Sequence, residues 1–185
     1  MRKDTLVRVG GAAAILAGLL RAAGSFASGA GSEAERQSLY FIVDLLLLLG
    51  VLAVYAQNHG ALGRWGAGGF LTTVAGILLV RSSRAVPGLD LYPAGAVSVA
   101  IGWVVLSFTW WKGANGSAFV PLLFVLSVVT GFVGQIVARA ATLFVASGVV
   151  FGAAMVGVGR QVLLAAAAAP GNEAAKNRSD FGPRR

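Results

Sequence analysis

LYFIVDLLLLLGVLAVYA, residues Leu39–Ala56, is the stretch that decides the fold. It carries a single charge, on Asp44. The hydrocarbon core of a bilayer is about 30 Å thick, and a helix of roughly 20 apolar residues crosses it. This stretch therefore predicts a membrane-spanning helix. Just before it, Ser32 and Glu35 have the S-x-x-E spacing of a capping box, which predicts where the helix begins.

The composition of the whole chain agrees with a membrane protein. Of 185 residues, 57% are hydrophobic and 12% are charged, whereas a soluble domain has about 25% charged residues. We predict an all-α polytopic membrane protein, a single bundle of six transmembrane helices joined by short loops. The predicted bundle covers residues 1–169, with spans at about 6–26, 39–57, 65–80, 91–111, 119–137 and 141–160. Residues 170–185 are polar and basic, and this composition predicts a disordered tail.

The beginning of the chain has a second interpretation. A basic start followed by the apolar segment Val9–Leu20 is also typical of a secretory signal. Arg21 would then lie between the apolar segment and any cleavage site, which is unfavourable for cleavage. We therefore expect the first span to be retained.

The distribution of Lys and Arg predicts the orientation. In the six-span topology ten of them lie on the side of both termini and five on the other side. Cytoplasmic segments carry the excess of positive charge, so we predict a multi-pass protein of the cell membrane with both termini in the cytoplasm. The net charge of +8 lies at helix ends and in the tail, which favours anionic lipid over nucleic acid as the partner.

A candidate polar site lies on the second span. Tyr40 and Asp44 share one helix face, because they are four residues apart. A carboxylate at the centre of a membrane helix costs about 2.5–3.5 kcal/mol, so Asp44 needs a partner. Arg21 ends the first span on the same side, which predicts an Arg21–Asp44 ion pair. Such a pair could lock two helices together, form a polar site open to the outside, or contact lipid head groups.

Two more polar residues end the fifth span on that side. Gln135 and Arg139 complete the candidate ligand or ion-pair set. Gln135 shares its span with Ser127 and Thr130. These side chains predict either hydrogen bonds between helices or a polar seam along a pore.

Small residues predict where helices pack closely. One stripe consists of Gly68, Thr72 and Gly76 in the third span. A GxxxG pair in the sixth span consists of Gly148 and Gly152, and could serve packing within the chain or a dimer contact.

The residue inventory limits the chemistry. The chain has no Cys and one His, His59, which lies in a predicted turn, and none of its lysines lies inside a span. No nucleophile therefore has a histidine or lysine base within the membrane, and no set of residues resembles a metal site. We expect no metal, no cofactor and no catalytic activity.

Two motifs carry a resemblance. The L-Y-x-x-x-D-L-L-L-L-L-G run at Leu39–Gly50 and the Y-A-Q-x-x-G turn at Tyr55–Gly60 resemble the layout of uncharacterised small six-span bacterial membrane proteins. The size and span count are also similar to the substrate-binding subunits of energy-coupling-factor vitamin transporters. That resemblance implies partner docking through A-x-x-x-A in the first span, a spacing that Ala13 and Ala17 have.

The function expected first is that of a non-catalytic accessory or assembly subunit of a larger membrane complex. Its small-residue faces would then meet a membrane-protein partner or a second copy of the chain. The alternative is a small-molecule binding or transport protein with an outward-facing polar site around Asp44. A cavity lined by the candidate polar residues would favour the alternative.

Overall fold

The computed structural model of the chain describes residues 3–26, 32–82, 90–113, 116–137 and 141–180. The regular elements in these ranges are α1 (Lys3–Phe26), α2 (Glu33–Ser82), α3 (Tyr92–Gly113), α4 (Phe119–Ile136) and α5 (Ala141–Asp180). Each is a helix that is long and apolar enough to cross a membrane. The prediction of an all-α membrane protein is confirmed at this level.

The prediction of six separate helices is not matched, because the second and third predicted spans both lie in α2. This element has 50 residues and contains one residue with non-helical backbone angles, Gly63, at φ 58° and ψ −163°. The rings of Tyr55 and Phe70 nevertheless stack with centroids 4.4 Å apart, although fifteen residues of straight helix would separate them by about 22 Å. The chain therefore folds back at Gly63 into a first arm, residues 33–62, and a second arm, residues 64–82.

The predicted capping box begins α2. The backbone N–H of Ser32 donates to Glu35 Oε2 at 2.6 Å, and the backbone N–H of Glu35 donates to Ser32 Oγ at 3.3 Å. These bonds lower the pKa of the Glu35 carboxyl below its ordinary value, because they favour its charged form. The start of α2 is thus encoded locally.

The last helix extends further than the predicted bundle. α5 continues past Pro170 to Asp180, so residues 170–180 of the predicted tail lie within it. Residues 181–185 lie outside the described part of the chain.

The helices form a bundle with two distinct ends. The Gly63 end holds the turn of α2, the beginnings of α1 and α4 and the end of α3, and the Asp44 end holds the opposite termini of the same elements. α1 contacts both α5 and α2, α2 contacts α3, and α4 contacts α3 and α5.

Glycine allows two pairs of antiparallel helices to approach backbone to backbone. Between α1 and α5, a Cβ added at Gly18 would clash with the carbonyl oxygen of Gly152, and the reverse is also true. Between the second arm and α3, a Cβ at Gly76 would lie 2.8 Å from the carbonyl oxygen of Gly95. Such close approach between helices is typical of membrane bundles, where lipid supplies no hydrophobic drive for association.

The small-residue stripe of the third predicted span is displaced from its predicted position. Gly76 packs against α3, but Gly68 is exposed, and a Cβ there would meet no atom within 4 Å. Thr72 is half-buried, whereas its neighbour Thr73 is fully buried. The stripe that faces α3 runs through Gly69, Thr73 and Gly76, because successive residues of a helix point about 100° apart.

Candidate functional site at the Asp44 end

The polar centre of the site is an ion pair between the two arms of α2. Arg81 Nε donates to Asp44 Oδ2 at 2.6 Å. Asp44 lies 19 residues before Gly63 and Arg81 lies 18 residues after it, so the turn brings them to one level. The side chains of Asp44 and Arg81 are 18% and 34% exposed, respectively. The pair is therefore partly sheltered and opens on the protein surface.

The predicted Arg21–Asp44 ion pair is not the one that forms. The Arg21 guanidinium lies over the ring of Tyr40, 5.8 Å from its centroid, and attracts the Asp44 carboxylate electrostatically without bonding to it. Arg81 takes the direct contact because it comes from the neighbouring antiparallel arm. Two guanidinium groups thus accompany a single carboxylate.

An open groove of about 380 Å³ lies beside the ion pair. Its lining combines polar and apolar side chains from the first arm with Arg81 from the second, namely Gln37, Ser38, Phe41, Ile42 and Arg81. The Arg81 guanidinium lies 5.2 Å from the centroid of the Phe41 ring, within the range of a cation–π contact. Phe41 and Ile42 are each about half exposed, so the groove has a charged wall and an apolar wall.

The remaining members of the predicted site are not brought to this cluster. Gln135 is exposed on α4, and α4 contacts neither α1 nor α2 among the described residues. Arg139 lies outside the described residues.

The other polar side chains of α4 bond within and between helices. The Ser127 hydroxyl donates to the Ser147 carbonyl at 3.0 Å, and the Ser147 hydroxyl donates to the Ser127 carbonyl at 2.8 Å. Thr130 donates to Leu126 in its own helix. This pattern matches hydrogen bonding between α4 and α5 rather than a polar seam.

Small residues that could have served a partner lie inside the chain. A Cβ at Gly148 would clash with Ser25 of α1, and one at Gly152 would clash with Gly18. Ala13 and Ala17, which have the A-x-x-x-A docking spacing, are 4% and 0% exposed. These positions are occupied by contacts within the protomer.

The rest of the bundle offers few candidate groups for binding. The described residues contain no group of three His, Asp or Glu side chains that could hold a metal ion, and His59 is exposed. Trp103 Nε1 and Gln57 Oε1 are buried and have no hydrogen-bond partner within the described ranges. Trp103 packs in the aromatic core, where its ring stacks on Phe124 at 5.2 Å.

Sequence reasoning missed the role of Arg81, although the sequence held an indication of it. Placing the α2 turn at Gly63 and pairing residues at equal distances from it would have matched Arg81 with Asp44. The notable feature would have been opposite charges at equal spacing from a turn.

The fold and this cluster define the chain as a polytopic α-helical membrane protein with one charged groove at the Asp44 end. Comparisons with protein-family models, with curated proteins and with solved structures found no match.

Proposed function

We propose that this chain is a non-catalytic membrane protein that binds an amphiphile with an acidic head group at the Asp44 end. The observation that carries the proposal is the position of Arg81, which Asp44 holds beside a groove whose other wall is apolar. A ligand there would meet a fixed guanidinium and an apolar surface at once.

The charges favour an acidic head group. Arg21 and Arg81 contribute two positive charges and Asp44 contributes one negative charge, which leaves one positive charge in excess. Arginine also presents several donors in a planar fork that suits carboxylate and phosphate groups. Since Asp44 accepts from the Nε of Arg81, it orients the rest of that guanidinium without neutralising the cluster.

The shape of the groove favours an amphiphile over a compact polar molecule. Enclosed ligand pockets bury most of a small molecule, whereas this groove is open along the first arm. The exposed faces of Phe41 and Ile42 would contact an alkyl chain, and Gln37 and Ser38 lie toward the beginning of the helix. An acidic phospholipid in the surrounding bilayer has the required chemistry.

The proposal includes the predicted topology. The two arms of α2 each cross the membrane, which gives six crossings in total, with both termini in the cytoplasm and the Asp44 end facing outward. The ten Lys and Arg residues on one side and the five on the other support this orientation. The cell membrane is the proposed location.

The accessory-subunit function stays a prediction. Its argument relied on small-residue faces for a partner or for a second copy, and Gly76, Gly148 and Gly152 lie in contacts within the chain. A partner would therefore need another surface. The charged groove supports the binding function more directly.

Lipid binding can be tested in detergent with defined probes. We expect the protein to bind dioleoyl phosphatidylglycerol more tightly than dioleoyl phosphatidylcholine, and Arg81→Gln to remove this preference. Arg36→Gln is the matched control, because Arg36 pairs with Glu33 one turn earlier on the first arm. Native mass spectrometry would count the bound lipids.

Two outcomes would contradict the proposal. One is equal binding of both lipids by the unmodified protein, and the other is an unchanged preference in folded Arg81→Gln. Gentle extraction followed by mass analysis adds the alternative outcome. A protein partner at fixed stoichiometry, with no bound amphiphile, would favour the accessory-subunit function.

A further inference from the structure

The close contact between the second arm and α3 has a defined set of atoms. A Cβ added at Gly76 would lie 2.8 Å from the carbonyl oxygen of Gly95 and 2.6 Å from the amide nitrogen of Val99. The backbone of α3 thus fits against this glycine over one helical turn.

The contact between α1 and α5 uses the equivalent atoms. A Cβ added at Gly159 would meet the carbonyl oxygen of Gly11 and lie 2.9 Å from the amide nitrogen of Ile15. Gly11 and Ile15 precede their α3 counterparts by 84 residues, and Gly159 follows Gly76 by 83 residues.

A second set of contacts, seven residues further along, has the same offsets. Again a glycine of one helix faces a carbonyl oxygen and the amide nitrogen four residues later. The two members are Gly69 against Gly102 and Leu106, and Gly152 against Gly18 and Ala22. Chance repetition of one small-residue spacing would not also reproduce which backbone atoms meet.

These equivalences divide the chain into two halves. Residues 3–82 provide α1 and the two arms of α2, and residues 92–180 provide α3, α4 and α5. Each half has three helical segments. Because three is odd, the halves run through the bundle in opposite directions, as inverted repeats do in many transporters.

The middle segments of the two halves do not have the same surroundings. An offset of 84 equates Gly50 with Gly134, and both are buried. Beyond them, Val51, Ala53 and Val54 of the first arm are completely buried. Their equivalents are all exposed, namely Gln135, Ile136 and Val137.

The helix contacts explain this difference. The first arm packs against both α1 and α5, with Gln57 Nε2 donating to the Val162 carbonyl of α5 at 3.3 Å. By the repeat, α4 should pack against both α3 and the second arm. Within the described residues it contacts α3 but not α2. The groove at the Asp44 end therefore lacks the helix that its counterpart at the Gly63 end contains.

We infer that the protein transports its ligand by exchanging these two arrangements. In the second state the end of α4 packs between α3 and the second arm, and the first arm leaves the groove between α1 and α5. The Asp44 end then closes and the Gly63 end opens, so access moves from one side of the membrane to the other. The inference goes beyond binding at Arg81 and does not depend on which ligand is bound.

Paired cysteines test the second state in a chain that has no cysteine of its own. The α1 contact in which a Cβ at Gly10 would meet Ala53 corresponds to Ala94 and Val137. We expect the double variant Ala94→Cys with Val137→Cys to lose both free thiols under mild oxidation in the full-length protein. Ala94→Cys with Phe132→Cys, whose α4 residue lies on another face, is the matched control and should keep them.

A third cysteine separates transport from simple flexibility. Val54 is completely buried in the first arm, so Val54→Cys should be protected from a water-soluble thiol reagent. Oxidation of the Ala94–Val137 pair should make it reactive. The adjacent pair Ser127→Cys with Ser147→Cys reports correct folding, since these hydroxyls lie 3.3 Å apart.

The inference is overturned if the Ala94–Val137 pair oxidises no faster than the control in protein whose Ser127–Ser147 pair forms. It is also overturned if the pair forms and Val54→Cys remains protected. Neither result would bear on lipid preference at Arg81, so the two proposals can fail separately.

Discussion

Asp44 and Arg81 each lie in a membrane-spanning segment, where an unpaired charge is costly. Their side chains are partly exposed, so the pair lies between a surface salt bridge, worth up to about 1 kcal/mol, and a buried one. Removing one partner of a buried pair costs more than removing both, because the remaining charge is left without compensation. The pair should therefore show coupling in a double-mutant cycle.

We expect Arg81→Gln to lower the free energy of unfolding by about 1–2 kcal/mol, the scale of a charged hydrogen bond in a partly exposed position. Adding Asp44→Asn should restore most of this loss, since neither charge then remains. Unfolding in mixed micelles, followed by circular dichroism, measures both values. Arg36→Gln should change stability by only a few tenths of a kcal/mol, since its pair is exposed. Losses that simply add in the double variant would contradict the coupling.

At this scale the sequence predicts the need but not the solution. A lone acid in an apolar helix indicates that Asp44 has a cationic partner, and the partner exists. Several arginines lie near the same end, however, and the choice among them depends on which helices are adjacent. Arg21 is closer in sequence, while Arg81 is on the neighbouring arm.

At the scale of the element, Gly63 decides that α2 is a hairpin. Its φ of 58° and ψ of −163° lie in a region that is essentially restricted to glycine. Gly63→Ala should cost about 1–3 kcal/mol of unfolding free energy because the new Cβ strains the backbone. Gly60→Ala is the control, because a Cβ there meets nothing within 4 Å. Equal stability of the two variants in micelles would show that the turn does not require glycine.

The packing stripe of the second arm makes a similarly paired prediction. Gly76→Ala places a Cβ 2.6 Å from the backbone of α3, and overpacking of this kind costs about 1–3 kcal/mol. Gly68→Ala meets open space and should raise stability by up to about 1 kcal/mol through better helix propensity. Thermal unfolding of the two purified variants compares them directly. A loss at Gly68 that matches the loss at Gly76 would favour the stripe predicted from spacing alone.

The spacing of small residues limits the contact face without fixing it. Gly68, Gly69 and Gly76 all satisfy small-residue patterns, and the sequence is so rich in glycine that several stripes compete. Only the position of α3 selects Gly69 and Gly76. Similarly, the sequence contains both arms of α2 as apolar runs, but a single turning residue can join two spans without an interruption in the helical hydrogen bonding.

At the scale of the whole molecule, the inverted halves and the turn at Gly63 together require an even number of crossings. Both ends of the described chain then lie at the Gly63 end of the bundle. The excess of Lys and Arg on that side predicts that it faces the cytoplasm. A straight α2 would instead be about 75 Å long, more than twice the thickness of the hydrocarbon core.

Single cysteines decide between these topologies in intact cells, because the chain has no cysteine of its own. We expect Ser32→Cys and Asp90→Cys to react with a membrane-impermeant reagent added outside. His59→Cys and Lys112→Cys should react only after permeabilisation, since they lie at the Gly63 end. Val51→Cys, buried at 0% exposure, is the unreactive control. Reaction of His59→Cys from outside, with Ser32→Cys protected, would invert the orientation. Protection of His59→Cys on both sides would mean that the α2 turn lies within the membrane, which would contradict two complete crossings by its arms.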